Sequence, residues 1–298
     1  MRLAEAASFA AYRTAAVVAR ALPARAATSL AGTAAVAVGA AMTGRRRVVR
    51  RNLRRVLGPG PSDAAVDREV AQAFRSYGRY WAEVFRLPGT SPAAIEATMT
   101  SEGVEHLDAA MAAGRGAIMA LPHLGNWDHG GAWLGTQGHR ITVVVEALHP
   151  PPLFQWFVAL RRDLGMDVVA LGPDVGSVLL RALRANQLVG LVCDRDIAGG
   201  GVGVELFGER TTLPAGPATL SLRTGAPILP TAVYLEPGGR HHGVIRPPVP
   251  AVRTDRLRDD IARTTQELAC ALEDLIRRDP SQWHVFQPNW PSDPGYRH

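Results

Sequence analysis

The sequence predicts an α/β sandwich, a sheet with helices on both faces. Short apolar runs of strand length alternate with helical patterns between about residues 103 and 250. Turn-forming Gly and Pro residues separate those runs. The chain of 298 residues is 47% hydrophobic, enough for one sizeable core.

Taken in order, residues 1 to about 42 are rich in Ala, Val and Leu, broken by Arg13, Arg20, Pro23 and Arg25. The stretch from Ala26 to Met42 is apolar but only 17 residues long, short of the roughly 20 that a spanning helix needs. Two helices lying on a membrane are the expectation; a pair of ordinary core helices is the alternative. Arg45, Arg46, Arg47, Arg50, Arg51, Arg54 and Arg55 then crowd into eleven residues, a block that attracts an anionic membrane or another polyanion. The spacing predicts a helix over 62–88, with Ser62 as N-cap, Pro88 as its stop, and Phe74, Tyr77, Trp81, Val84 and Phe85 as a packing stripe.

The alternation follows. Strands are expected at Gly116–Leu121, Ile141–Glu146, Asp167–Leu171, Leu188–Cys193, Ile228–Leu235 and Gly243–Pro247. Helices are expected at Trp127–Gln137, Pro152–Leu164, Val175–Ala185, near Pro217–Arg223 and over 254–278, before a proline- and aromatic-rich tail. Residues 1–60 read as a membrane-associating extension, and 61–298 as one catalytic domain.

The segment Leu121-Pro-His-Leu-Gly-Asn-Trp-Asp-His-Gly-Gly131 carries the chemistry. Five residues apart on one helix, His123 and Asp128 would sit roughly 140° apart. A loop holding His123 ahead of a first helical turn holding Asp128, capped by Asn126, lets the two meet. A carboxylate would then orient one imidazole nitrogen while the other faces a cleft, ready to take a proton from an alcohol attacking an acyl carbonyl. The bland alternative is a hydrogen-bonded loop histidine.

Other charges stand at strand ends, where such sheets bind ligands. Asp194, Arg195 and Asp196 follow one strand, and Glu146 ends another. Arg161 and Arg162 sit late in a helix, where they either bind phosphate or stabilise the helix end. Glu205 lies beside the Gly199–Gly201 run. No GxSxG elbow accompanies the histidine, so direct transfer to an acceptor hydroxyl is simpler than an acyl-enzyme. All 33 basic residues are arginine, and no GxxxxGK phosphate loop exists. A metal reading through His123, Asp128 and His129 lacks the i,i+4 histidines of a helical zinc site, and Cys193 and Cys270 form no metal-type pair. Glu5 and the interrupting arginines do not read as a secretory signal.

The His123–Asp128 HxxxxD motif, Asp194-Arg-Asp-Ile197, Val204-Glu-Leu-Phe-Gly208, Leu213-Pro-Ala-Gly-Pro217, Tyr80-Trp-Ala-Glu-Val-Phe-Arg-Leu-Pro88 and Gln282-Trp-His-Val-Phe-Gln-Pro-Asn-Trp290 together resemble the bacterial lipid A biosynthesis acyltransferases. The chain is most similar to the actinobacterial branch acting on phosphatidylinositol mannosides, and Asp128, where many lipid A members carry Glu, favours that branch. The resemblance implies a central mixed sheet flanked by helices, as in glycerolipid acyltransferases. It implies a peripheral enzyme on the cytoplasmic face of the inner membrane. Acyl-CoA, commonly palmitoyl, would be the donor, and a mannose 6-hydroxyl of phosphatidylinositol mono- or dimannoside the acceptor. It implies no metal, no other cofactor and no nucleic-acid partner. His123 would be the base and Asp128 would complete the motif. An acid from the later strand-end region would pair with the histidine: Asp194 by preference, with Asp196 and Glu205 open. Glu146, Arg161 and Arg195 would be substrate-binding. The rivals are an acyltransferase for another glycolipid acceptor, a metal-dependent hydrolase, and a non-catalytic module docking on anionic membranes or nucleic acid through the arginine block.

Overall fold

The computed structural model describes residues 3–146, 150–254 and 256–296. Residues 1–2, 147–149, 255 and 297–298 lie outside the described residues, and with them the ends of the expected N-terminal extension and tail. Four helices come first: α1 (Leu3–Ala21), α2 (Ala24–Ala41), α3 (Thr43–Leu57) and α4 (Asp63–Arg86). Pro23 breaks α1 from α2. Ser62 caps α4 by accepting from the Ala65 N–H, as its sequence position predicts. The helix α2 lies tightly on α4. A Cβ on Gly78 of α4 would stand 2.4 Å from the Ala31 carbonyl of α2, so only glycine permits this crossing. The expected aromatic stripe of α4 is packing: Phe74 meets Phe286, and Trp81 and Phe85 meet Tyr12 and Phe157.

Then come α5 (Pro92–Thr98), β1 (Met99–Glu102), α6 (Val104–Ala112), β2 (Ala117–Leu121), α7 (Trp127–Thr136), β3 (Ile141–Val145), α8 (Pro151–Asp163), β4 (Met166–Ala170), α9 (Val175–Arg184) and β5 (Leu188–Val192). The hairpin β6 (Val202–Leu206) and β7 (Glu209–Leu213) precedes α10 (Gly216–Thr224), β8 (Ile228–Glu236), β9 (Arg240–Ile245) and α11 (Leu257–Arg278). Seven strands form one sheet in the order β1-β9-β8-β2-β5-β3-β4. Neighbours are parallel except β8 with β9, so the sheet is mixed, with helices on both faces. One face packs on α9, α10 and α11 through Leu183, Leu220, Leu268 and Leu272; the other packs on α6 and α7 through Leu107, Ala132 and Leu134. All five residues of β2 are buried, as a central parallel strand requires.

Three features depart from the sequence reading. The elements α5, β1, α6, β6 and β7 fall where no strand or helix is expected. The last strand of the sheet runs over Arg240–Ile245 rather than Gly243–Pro247. The arginine block is mostly paired inside the protein. Arg46 and Arg50 meet Asp67, Arg50 and Arg54 meet Asp63, Arg55 meets Glu209 and Asp293, and Arg45 donates to the Phe286 carbonyl. Arg47 and Arg51 have no acidic partner among the described residues. Among those residues no single helix is long and apolar enough to cross a membrane; α2 and α3 pass together only as a pair bent by 103°.

Candidate active site

The register of the two central strands builds the site. Leu121 of β2 stands opposite Val192 of the parallel β5. Two residues further along each chain come His123 and Asp194. The imidazole Nδ1 of His123 lies 2.6 Å from Asp194 Oδ1, and the His123 backbone N–H donates to Asp194 Oδ2 at 2.9 Å. Trp283 Nε1–H donates to the same Oδ2 at 2.7 Å, and the Asn289 amide holds the Asp194 carbonyl. Asp194 is fully buried. Burial pushes its carboxyl up, but the His123 imidazole and the three donated hydrogen bonds pull it further down, so it stays ionised. With Nδ1 held on the carboxylate, Nε2 of His123 is left for a substrate. The ring keeps 23% of its surface exposed and has Trp127 against its edge.

The loop carrying His123 is pinned from both sides. The Asn126 N–H donates to Val233 of β8, Gly125 N–H to the Gln282 carbonyl, and His284 N–H to the His123 carbonyl at 2.7 Å. Gly125 has φ +61°, and a Cβ there would stand 1.9 Å from the Val233 carbonyl, so this position needs glycine. Asn126 caps α7 as expected, its side chain accepting from His129 N–H.

Asp128 does not orient His123, and that expectation is corrected. In the first turn of α7 its carboxylate is gripped by Arg161 of α8 in a two-pronged pair, 2.6 and 3.0 Å, and accepts from the Tyr80 hydroxyl at 2.8 Å. Burial and the adjacent Asp128 charge push the Tyr80 phenol well up, so it remains the donor. In this first turn of α7 the carboxylate is taken up by Tyr80 of α4 and Arg161 of α8, while the imidazole of His123 pairs with Asp194. Arg161 is thus engaged by a buried acid, although it also lines the slot described below.

The remaining predicted residues are more scattered. Glu146 is exposed just beyond β3, two strands from β2. Arg195 is half-buried beside Asp194. Asp196 accepts from the N–H groups of Gly199 and Gly201 and from the Thr212 hydroxyl, which shapes its own loop rather than reaching His123. Glu205 is exposed on β6. His129 stacks on His241 at 3.7 Å, and among the described residues no three His, Cys, Asp or Glu side chains converge as metal ligands.

An apolar slot runs under α7 along the sheet. Leu121, Val145 and Val192, at the carboxyl ends of β2, β3 and β5, line it with Met119, Met166 and Ile245. Asp128, Arg161 and Trp127 also line it, whereas His123 does not. The slot is narrow, about 80 Å³, walled in part by flexible methionines. Gly130 and Gly131 let α7 sit this close: a Cβ on Gly131 would stand 2.7 Å from the end of Met166.

Sequence reading missed the tail's role. Trp283, His284 and Asn289 arrive from 160 or more residues beyond His123, and only their aromatic and amide content hinted at buried polar partners. His284 is buried, and that burial pushes its imidazole down to about 3, so it is neutral; Ser76 meets its Nε2. Cys193, next to Asp194, is buried and its thiol is pushed far up, so no thiolate nucleophile stands here.

The sequence profile described as bacterial lipid A biosynthesis acyltransferase matches residues 2–292. The chain is 42% identical over 250 residues to a phosphatidylinositol mannoside acyltransferase of Mycobacterium tuberculosis (strain ATCC 25618 / H37Rv), across 82% of this chain and 77% of that one. It is 38% identical over 248 residues to the phosphatidylinositol mannoside acyltransferase of Mycolicibacterium smegmatis, across 82% and 79%.

Proposed function

The chain belongs to the bacterial lipid A biosynthesis acyltransferase family and is an acyltransferase, and from that premise we propose that it moves a long acyl chain, palmitoyl by preference, from acyl-CoA to the mannose 6-hydroxyl of phosphatidylinositol mono- or dimannoside. The observation that carries the reading is the ionised, buried Asp194 on Nδ1 of His123, with Nε2 left open. His123 Nε2 takes the proton of the acceptor hydroxyl as its oxygen attacks the thioester carbonyl. The tetrahedral intermediate then collapses, the C–S bond breaks, and the imidazolium returns the proton to the leaving CoA thiolate. Asp194 stabilises the imidazolium between the two steps. No acyl-enzyme is needed, which accords with the inert Cys193.

The slot under α7 supports an acyl-chain site, since the strand ends that lead into His123 and Asp194 line it and it is walled almost entirely by apolar side chains.

Peripheral attachment to the cytoplasmic face of the inner membrane is part of the proposal. Val17, Val18, Leu30, Val38 and Met42 are exposed large apolar residues gathered on α1, α2 and the link to α3, a clustering that favours lipid over water. Arg47 and Arg51 supply charge for anionic headgroups.

Labelled palmitoyl-CoA, incubated with phosphatidylinositol monomannoside, dimannoside or a lipid A precursor, tests the reading. Label on the mannosides alone is expected. Label on the lipid A precursor alone would overturn the acceptor, and no loss of acyl-CoA would overturn the donor.

A further inference from the structure

A second cleft, of about 910 Å³, opens between α2, α4 and the turn joining β8 to β9. None of His123, Asp128 or Asp194 lines it. Four arginines do: Arg25, Arg75, Arg79 and Arg86, against one carboxylate, Glu83. Burial pushes Glu83 up, but His241 and Arg79 outweigh it and bring it down to about 2, so it is ionised and already paired. Arg86 donates only to backbone carbonyls, those of Ala19, Arg20 and Leu22. Arg25 and Arg75 are exposed and meet no carboxylate among the described residues. The aliphatic stem of Arg75 lies across Gly32 of α2, which sets its guanidinium over the cleft. Three positive charges therefore stand without a counter-ion around one concavity.

The floor is polar and unfinished. His241 is 3% exposed; its Nε2 meets Glu83, while its buried Nδ1 has no hydrogen-bond partner. Thr28, Ser29 and Thr33 present hydroxyls along one face of α2. The same helix exposes Leu30 and Val38 beside that face.

We propose that this cleft is a second ligand site, apart from the acyl-transfer centre, that holds the phosphate and hydroxyl groups of a phospholipid with a polyol headgroup. The guanidinium groups take the phosphate, since paired N–H donors match its oxygens. The Ser29 and Thr33 hydroxyls of α2 meet the headgroup's hydroxyls. The phosphate–polyol chemistry stands on the cleft itself; its lipid source rests on the membrane attachment proposed above.

The full-length protein and two double variants test it: Arg25→Gln with Arg75→Gln, and as control Arg181→Gln with Arg184→Gln, exposed on α9. Each is measured for binding to phosphatidylcholine vesicles containing phosphatidylinositol, and for thermal stabilisation by soluble glycerophosphoinositol and by inorganic phosphate. The cleft variant is expected to lose roughly 30-fold in vesicle affinity, from about 1 kcal/mol for each of two charges. It is also expected to lose stabilisation by glycerophosphoinositol, which the control variant retains. Equal losses in both variants would reduce the cleft to diffuse surface charge and overturn the proposal. Stabilisation by inorganic phosphate as strong as by glycerophosphoinositol would overturn the polyol headgroup. These readouts need no acyl transfer, so they stand even if the acceptor assigned above proves wrong.

Discussion

Replacing Asp194 with Asn keeps the side-chain shape and removes only its charge and one acceptor. In the wild type Oδ2 accepts two hydrogen bonds, from His123 N–H and Trp283 Nε1–H, while Oδ1 meets His123 Nδ1. An asparagine must put its single oxygen where the two donors converge, because an NH2 there would face both of them. Its NH2 then points at His123 Nδ1, 2.6 Å away in the wild type, and makes that nitrogen the acceptor. The ring proton moves to Nε2, and the base is lost with the fold intact. The imidazolium also loses its counter-ion. Loss of a general base costs about 10²–10⁴-fold, so transfer should fall into that range while the unfolding midpoint moves little. Nitrogen NMR of the His123 ring reads the tautomer directly: Nδ1–H in the wild type, Nε2–H in the variant. Transfer within a few-fold of wild type, with the Nε2–H tautomer observed, would refute the reasoning.

Asp128→Asn should act through stability, because breaking a buried pair leaves Arg161 charged and under-partnered; a loss of about 3–5 kcal/mol in chemical denaturation is expected, and an unchanged midpoint would contradict it. Gly131→Val should narrow the slot under α7 and lower the rate with palmitoyl-CoA relative to octanoyl-CoA by roughly tenfold or more; an unchanged ratio would remove the acyl chain from that slot. Stability should fall on acidification. Burial holds His129 and His284 down to about 3, so the unfolded chain binds more protons between about pH 6.5 and 3. Each histidine then takes away about 1.4 kcal/mol per pH unit across that window. A denaturation midpoint flat from pH 7 to pH 4 would contradict their burial as neutral rings, and His284→Gln should flatten the wild-type slope. Glu83 adds its own loss only below about pH 4.5, since its folded value lies near 2.

What could be read in the sequence follows from how local each signal is. The helix α4 carries its own cap and stripe, and β2 is an unbroken apolar run between Gly116 and Pro122, so both are visible within their own residues. The edge strand β1 is four mostly polar residues and takes its form from β9, which no local pattern reveals. The β6–β7 hairpin falls where a loop was expected; its two-residue turn, Phe207-Gly208 with both φ positive, left glycine at the second position as the only local sign. In the site, spacing brought out the His123 loop but assigned it the wrong carboxylate. Asp128 lies nearby in sequence, whereas the partner of His123 is set by the pairing of β2 with β5. Asp194 was legible as a charge at a strand end that could converge with His123, and the family resemblance then preferred it over Asp196 and Glu205. Trp283 and Asn289, which fix Asp194, come from a tail whose sequence shows composition and no periodicity. The arginine block was legible as charge, but its acids on α4, β7 and the tail neutralise much of it.

The most direct test of His123 as the base is transfer of labelled palmitoyl groups by wild type and His123→Ala side by side. His123 is partly exposed, and Asp194 keeps its Trp283 and backbone donors in the variant. A folded His123→Ala protein with transfer reduced about 10²–10⁴-fold is the predicted result. A folded variant that transfers at the wild-type rate would contradict the account.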